Sequence, residues 1–387
     1  MIYWFNSEMK WKEPPLYKTM TVVLDLNNSD PTQWATYADD AVNMTAGSSD
    51  WDTFFGHYPC ILDNGVELGK LNPNNFGQYE DGTTAPITTL GKDVMICFPK
   101  RGIKLEYLDE SHLSVSMTDE MGKSGYSYMA HSYKGNDVDR FYLGTYKGYV
   151  GYSGGNYYLY STSNMMPSSG ATLATFRDYA HNRGTGYEQS AFFQLTFRQV
   201  MYLLKYKGQD AQIVIGKGYT STENNTASIA TGNTNTRGMD WGESTGTYQM
   251  KLFGLEDFYG NIYEFIDGIM TNSSSQLYVA DGNYNDSGTN YTSAGTDALS
   301  SSMAAGFLRY PNGTNLAGFT LKTESYGLDS TYFCDYTFIY SSRVASFGGA
   351  WGMGLRAGVF TLNMSPNTST ANSNFGARLM YFPTSSS

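Results

Sequence analysis

At 387 residues the chain has room for one large domain or two ordinary ones. Net charge is −11, with Lys and Arg scattered apart from Lys100-Arg101, which excludes a phosphate-neutralising nucleic-acid binder and an anionic-membrane binder. Charged residues make up 16% and hydrophobic residues 41%; the polar balance comes from Ser, Thr, Asn and 42 Gly, alongside 33 Tyr. Tyr and Trp supply contact area at low rotamer cost and Ser, Gly and Asn adapt, so this palette suits surfaces that bind through exposed loops.

Residues 1–90 read as short strands and turns. The first six residues lack a basic n-region and an apolar core, so no signal peptide is expected and the chain should fold in a cytoplasm. Residues 19–26 suit a strand that Asn27-Asn28-Ser29-Asp30-Pro31 stops, and Asn64-Gly65 and Asp81-Gly82 mark turns. Strands follow at 93–99, 102–107, 112–117 and 141–146. A helix over 172–183 places Leu173, Phe176, Tyr179 and Ala180 on one face, with Gly184 at C′. Another helix over 190–206 is apolar almost all round and is expected in the core. Residues 218–248 and 271–303 read as long polar surface insertions, and 336–382 returns to strands between Gly turns. Strands, then helices, then loop-rich strands predict an α+β fold. No apolar run reaches the roughly 20 residues of a membrane span, so no membrane insertion is expected.

Most short motifs fail. Gly122-Lys123-Ser124 lacks the P-loop's upstream glycine, since Met117 stands there. Asp281, Asn283 and Asn285 have calcium-loop spacing, but Thr292 stands where the bidentate Glu belongs, and no metal is expected. Cys60, Cys97 and Cys334 show no zinc spacing and read as buried free thiols, and His57, His112, His131 and His181 show no pairing. Acidic pairs for glycoside hydrolysis are set by distance in the fold, so Asp39, Asp40, Glu188, Glu256, Asp257, Glu264 and Asp267 stay as candidates with ordinary structural alternatives.

Two segments carry a family resemblance. In the first, Gly254-Leu255-Glu256-Asp257 leads through Gly260-Asn261 into Ile262-Tyr263-Glu264-Phe265-Ile266-Asp267, a turn dipeptide before a β-rich run. Ile262, Phe265 and Ile266 should pack inward, while Asn261 and Glu264 should bond loop backbone. The other segment runs Gly348-Gly349-Ala350-Trp351 through Ala357-Gly358-Val359-Phe360 and closes on Gly376-Ala377-Arg378. Together they resemble the formylglycine-generating-enzyme type of C-type-lectin-like domain. The C-terminal segment also resembles the variable region of diversity-generating-retroelement proteins. Phe176-Arg177-Asp178-Tyr179-Ala180 and Tyr202-Leu203-Leu204-Lys205-Tyr206 are similar to stretches of phage structural proteins carrying this domain.

The resemblance implies a C-type-lectin-like domain over 91–387, preceded by a β-rich attachment region over 1–90, with 332–382 as the binding segment. Diversification acts on template adenines, so residues reachable from Asn codons are the exchangeable positions. These are Ala350, Gly352, Leu355, Arg356, Thr361, Ser365 and Asn367, with Trp351 as scaffold beside them. Tyr332, Asp335, Tyr336 and Tyr340 extend the expected ligand face. The implied role is a phage-tail adhesin, a homotrimer by analogy, that sits in the virion among other tail proteins and binds a host cell-surface protein or glycan. The alternatives are a structural tail or baseplate subunit and a tail-borne glycan hydrolase. The family's oxidases use paired copper-binding cysteines near the C-terminus, and Cys334 alone cannot form that pair, so no enzyme and no cofactor is expected.

Overall fold

The computed structural model describes residues 16–322 and 326–384, and the backbone pairing of Trp4–Phe5 with Trp11–Lys12. The chain is α+β, with many strands and few helices. Among the first elements, β1 (Thr19–Asp25), β2 (Ala35–Asp39) and the short α1 (Asp50–Phe55) precede β3 (Tyr58–Asp63), β4 (Val66–Asn72) and β5 (Asn75–Tyr79). There follow β6 (Lys92–Pro99), β7 (Gly102–Tyr107), β8 (His112–Thr118), β9 (Arg140–Gly144) and the hairpin β10 (Tyr149–Ser153) and β11 (Asn156–Tyr160). The middle of the chain holds α2 (Leu173–His181), β12 (Tyr187–Gln189), α3 (Phe192–Tyr206) and α4 (Ala211–Val214). Then come β13 (Tyr263–Thr271), β14 (Leu277–Val279), β15 (Thr292–Ser293) and β16 (Met303–Phe307). The last are β17 (Tyr336–Tyr340), β18 (Val344–Phe347), β19 (Leu362–Met364), β20 (Phe375–Gly376) and β21 (Leu379–Tyr381).

These strands build three main sheets. The first, in the order β2-β1-β8-β7, is antiparallel. The second runs β12-β21-β9-β6-β3-β4-β5, also antiparallel. The third runs β15-β14-β13-β18-β19-β17-β16, with β20 paired parallel to β13. Both expected helices are present. Thr172 caps α2 by accepting a hydrogen bond from the Thr175 amide. The α2 C-cap is Asn182, so Gly184 lies beyond the expected C′ position. All of α3 but Tyr206 is buried, as its apolar surface predicts, and it packs between the first sheet and β13. Two of its buried glutamines bond backbone from inside: Gln194 donates to the Ala130 carbonyl and Gln199 to the Val359 carbonyl.

The expected boundary at residue 90 does not divide the sheets. β1 lies between β2 and β8, with Val22 facing Val115, and β3 pairs along its length with β6. Cut at 90, each part would present an open strand edge and half of a buried apolar face. Residues 218–248 carry no long helix or strand, as expected, but they are not a free surface insertion. Thr220, Asn225, Thr231 and Thr234 are buried, and Glu256 accepts from the amides of Gly232 and Thr234 and from the Thr234 hydroxyl.

Candidate ligand-binding face

The third sheet is covered unequally. At β13, α2 lies against its outer side, where Phe176 and Phe265 meet at 6.4 Å between ring centroids. At the other end, β16 and β17 form an antiparallel ribbon whose register pairs Met303 with Tyr340, Ala305 with Phe338 and Phe307 with Tyr336. Alternation along each strand sends Ala304, Thr337 and Ile339 into the core. The six paired side chains stand on the opposite face, none of them buried, and Met303 is 47% exposed. Ring contacts hold them in place: Tyr336 lies 5.0 Å from Phe307 edge-on and 4.7 Å from Phe338. The β16 edge is closed, because Gly327 donates to the Phe307 carbonyl and the Ala305 amide donates to the Tyr326 hydroxyl. The open surface of the ribbon is therefore its face.

Arg356 completes this face. It ends a single 3-10 turn, Gly354–Arg356, and its guanidinium lies 4.8 Å from the Tyr336 ring centroid. An exposed cation over an aromatic face is worth about 0.5–1 kcal/mol, enough to bias the side chain toward the ribbon. Leu355 beside it is 49% exposed. Gly352, Ser365 and Asn367 are exposed, and Trp351 and Tyr340 are half-buried. Tyr332 is drawn elsewhere: Arg309 stacks on it at 4.3 Å and bonds Asn27 beside the first sheet.

Three expected positions are buried, away from the surface of the face. Asp335 accepts from the Phe360 amide at 2.8 Å, and burial pushes its carboxyl well above the usual range. Thr361 donates its hydroxyl to the Arg356 carbonyl at 2.6 Å. Ala350 is buried and belongs to the apolar cluster that includes Tyr263, Phe375 and Val344. Reachability from an Asn codon carries no information about which way a strand residue points. The same reasoning passes over Met303, Ala305, Phe307 and Phe338. The alternation of Tyr336, Phe338 and Tyr340 is the signal that finds Phe338.

Beneath the face, the two motif segments are joined through Arg378. Its Nε donates to Glu264 Oε2 at 2.7 Å, Nη1 to the Gly144 and Thr145 carbonyls, and Nη2 to the Glu256 and Asp257 carbonyls. Glu264 therefore does not bond loop backbone as expected; it faces Arg378, Lys147 and Arg198. Burial alone would raise its carboxyl, and those three cations hold it well below the usual carboxylate range. Burial lowers Lys147 to about 8 and Arg198 to about 10. Ile262, Phe265 and Ile266 pack inward as expected. Asn261 also behaves as expected, holding both backbone groups of Ile229.

Among solved structures the chain is similar to the U1 variant of Major Tropism Determinant, at 12% identity and a TM-score of 0.29. It is also similar to the P3c variant, at 11% identity and a TM-score of 0.31. Each match covers 88% of this chain and 73% of that one. No family model and no curated protein matches.

The other candidates resolve into structural roles. Asp281 accepts from Ser132, and Asn285 is folded back on Ser287 and Thr289, so the calcium-like spacing forms no ligand cage. Asp267 is held by Arg177 and Gln189, and Glu188 by Tyr133 and His181. Asp39 accepts from the Thr21 hydroxyl, and Asp40 from the Thr19 amide. Burial, then the neighbouring Glu256, push Asp257 up to about 7, but the residue is fully buried and Gln249 and Asn261 both donate to its Oδ2. All three cysteines are buried and free.

Proposed function

We propose that this chain is an adhesin of a phage tail and binds a host cell-surface protein or glycan through the outer face of β16 and β17 together with Arg356. The observation that carries this reading is the ribbon itself. Six contiguous side chains, four of them aromatic, stand unburied on one face of the ribbon, whereas β18 and β19 beside it are buried throughout. Apolar strips of this kind mark recognition surfaces, and Tyr and Arg supply a large share of binding energy where they cluster. The palette of the chain and the two motif segments support a C-type-lectin-like architecture with a variable-region-type binding segment. Within that segment the exchangeable positions are Gly352, Leu355, Arg356, Ser365 and Asn367, with Tyr336 and Tyr340 on the ribbon. Assembly as a homotrimer would add avidity to single weak sites, and part of the 1–90 surface would contact other tail proteins.

The test uses the labelled full chain on intact cells of a panel of bacterial strains. The wild type should stain at least one strain saturably. Arg356→Ala and Tyr336→Ala should each weaken staining at least tenfold while the melting temperature holds. Staining unchanged in both variants would remove the ribbon from the binding site. A wild type that stains no strain would favour a structural tail subunit.

A further inference from the structure

A second concave site lies away from the ribbon and uses none of its elements. The short helix α1 contributes Asp52, the C-terminal end of α3 contributes Lys205 and Tyr206, and the loop before β13 contributes Asp240. They line a cleft of about 700 Å³, within the range of about 300–1,000 Å³ typical of small-molecule sites. Lys205 Nζ lies 2.6 Å from Asp52 Oδ1 and 2.6 Å from Asp240 Oδ2, and Asp240 Oδ1 accepts from the Phe253 amide. Three segments distant in sequence are thus tied together by one buried ammonium.

His57 is the group this arrangement leaves unexplained. It follows Gly56, whose left-handed backbone ends α1 and turns the next residue inward. Its ring is enclosed by Phe98, stacked at 6.0 Å, and by Phe253 and Phe55. Its side chain is 1% exposed, it lines the cleft, and Nε2 lies 3.9 Å from Asp52 Oδ1, beyond hydrogen-bond reach. Neither ring nitrogen has a hydrogen-bond partner among the described residues. Burial, against the pull of Asp240, lowers its pKa to about 4, so at neutral pH it offers one donor and one acceptor. An aromatic cage would hold phenylalanine at no polar cost; an imidazole with both nitrogens idle is a costly occupant unless something meets them.

The chemistry of that partner follows from the lining. Asp52, Asp240 and Glu80 outnumber Lys205, so an anion is repelled. An ammonium ligand only donates and would leave the His57 N–H with nothing to bond. A hydroxyl both donates and accepts. It can meet His57 in either sense, donate to Asp52 and accept from Lys205, while Met239 and Leu71 offer apolar wall to the C–H face of a ring. We propose that this cleft is a second ligand site that takes an uncharged saccharide through Asp52, His57 and Lys205.

The proposal does not depend on the adhesin reading, and its test keeps the two apart. Binding of cellotriose, maltotriose, mannotriose and chitotriose to the full chain would be followed by calorimetry and saturation-transfer NMR, with trigalacturonate and the trimer of glucosamine as charged counterparts. At least one neutral trisaccharide should bind saturably. Asp52→Asn and His57→Phe should each weaken it at least tenfold, whereas Arg356→Ala should leave it unchanged. His57→Phe should melt at the same temperature as the wild type or higher, which separates lost binding from lost folding. The proposal is overturned if no neutral trisaccharide binds, if a charged trimer is preferred, or if both cleft variants bind as the wild type does. Loss of binding in Arg356→Ala would move the sugar to the ribbon and overturn it equally; water alone would then satisfy His57.

Discussion

Arg378 has five N–H donors, and in this chain they reach one carboxylate oxygen and four backbone carbonyls. Lysine has three donors on a single nitrogen and cannot reproduce a planar fork. Arg378→Lys should therefore keep the ion pair with Glu264, orphan buried carbonyls and destabilise the chain by about 3 kcal/mol, readable as a lower urea midpoint. The glycines of the C-terminal motif segment divide in the same way. A Cβ at Gly358 would sit 1.6 Å from Asp335 Oδ1, and Asp335 cannot retreat without releasing the Phe360 amide. A Cβ at Gly352 meets nothing within 4 Å. Gly358→Ala should cost about 1–3 kcal/mol and Gly352→Ala stay within about 0.5 kcal/mol, a contrast that thermal melts of the two variants would check. The resemblance already separates them, with Gly352 among the exchangeable positions and Gly358 in the Ala-Gly step of the motif. Asp335 is open to a better reading, since period two from Thr337 and Ile339 already places it on the inner face.

The long helices and strands are legible because their periodicity runs for several turns or pairs, as in α3 and in β1. The six residues of α1 and the four of α4 are too short for a period to show, and the sequence reveals neither. Over 218–248 the sequence correctly predicts a lack of regular structure and incorrectly predicts freedom from the body. Its anchors include the carboxylate of Glu256 and the amide of Asn261, both after it in the chain, and no local pattern points to partners so distant. Glu256→Ala would leave the buried Thr234 amide without its acceptor, at about 1–3 kcal/mol, and would free the half-buried Gly232 amide as well. Amide hydrogen exchange should quicken across 230–236 well before the strands of the second sheet are affected. Equal loss of protection in those strands would mean that the segment and the sheet open as one unit.

At the scale of the molecule, sheet membership ignores the order of regions along the chain. The expected division at residue 90 follows the family resemblance, which does not record which strand finds which neighbour. A fragment of residues 91–387 lacks β1 and β3, the partners of β8 and β6. It should show neither the near-ultraviolet dichroism nor the NMR dispersion of a packed core; a well-dispersed spectrum would restore the first 90 residues as a separable unit.

β21 lies between β12 and β9 and is the only link that joins them within the described part of that sheet. Because a ribosome delivers residues in order, β9 and β12 emerge long before the strand that bridges them. Until it arrives, each shows an unpaired edge to every other nascent chain nearby, a liability of open strands. Production of this protein should therefore be limited by aggregation during synthesis, and slower translation would lengthen the exposure instead of relieving it.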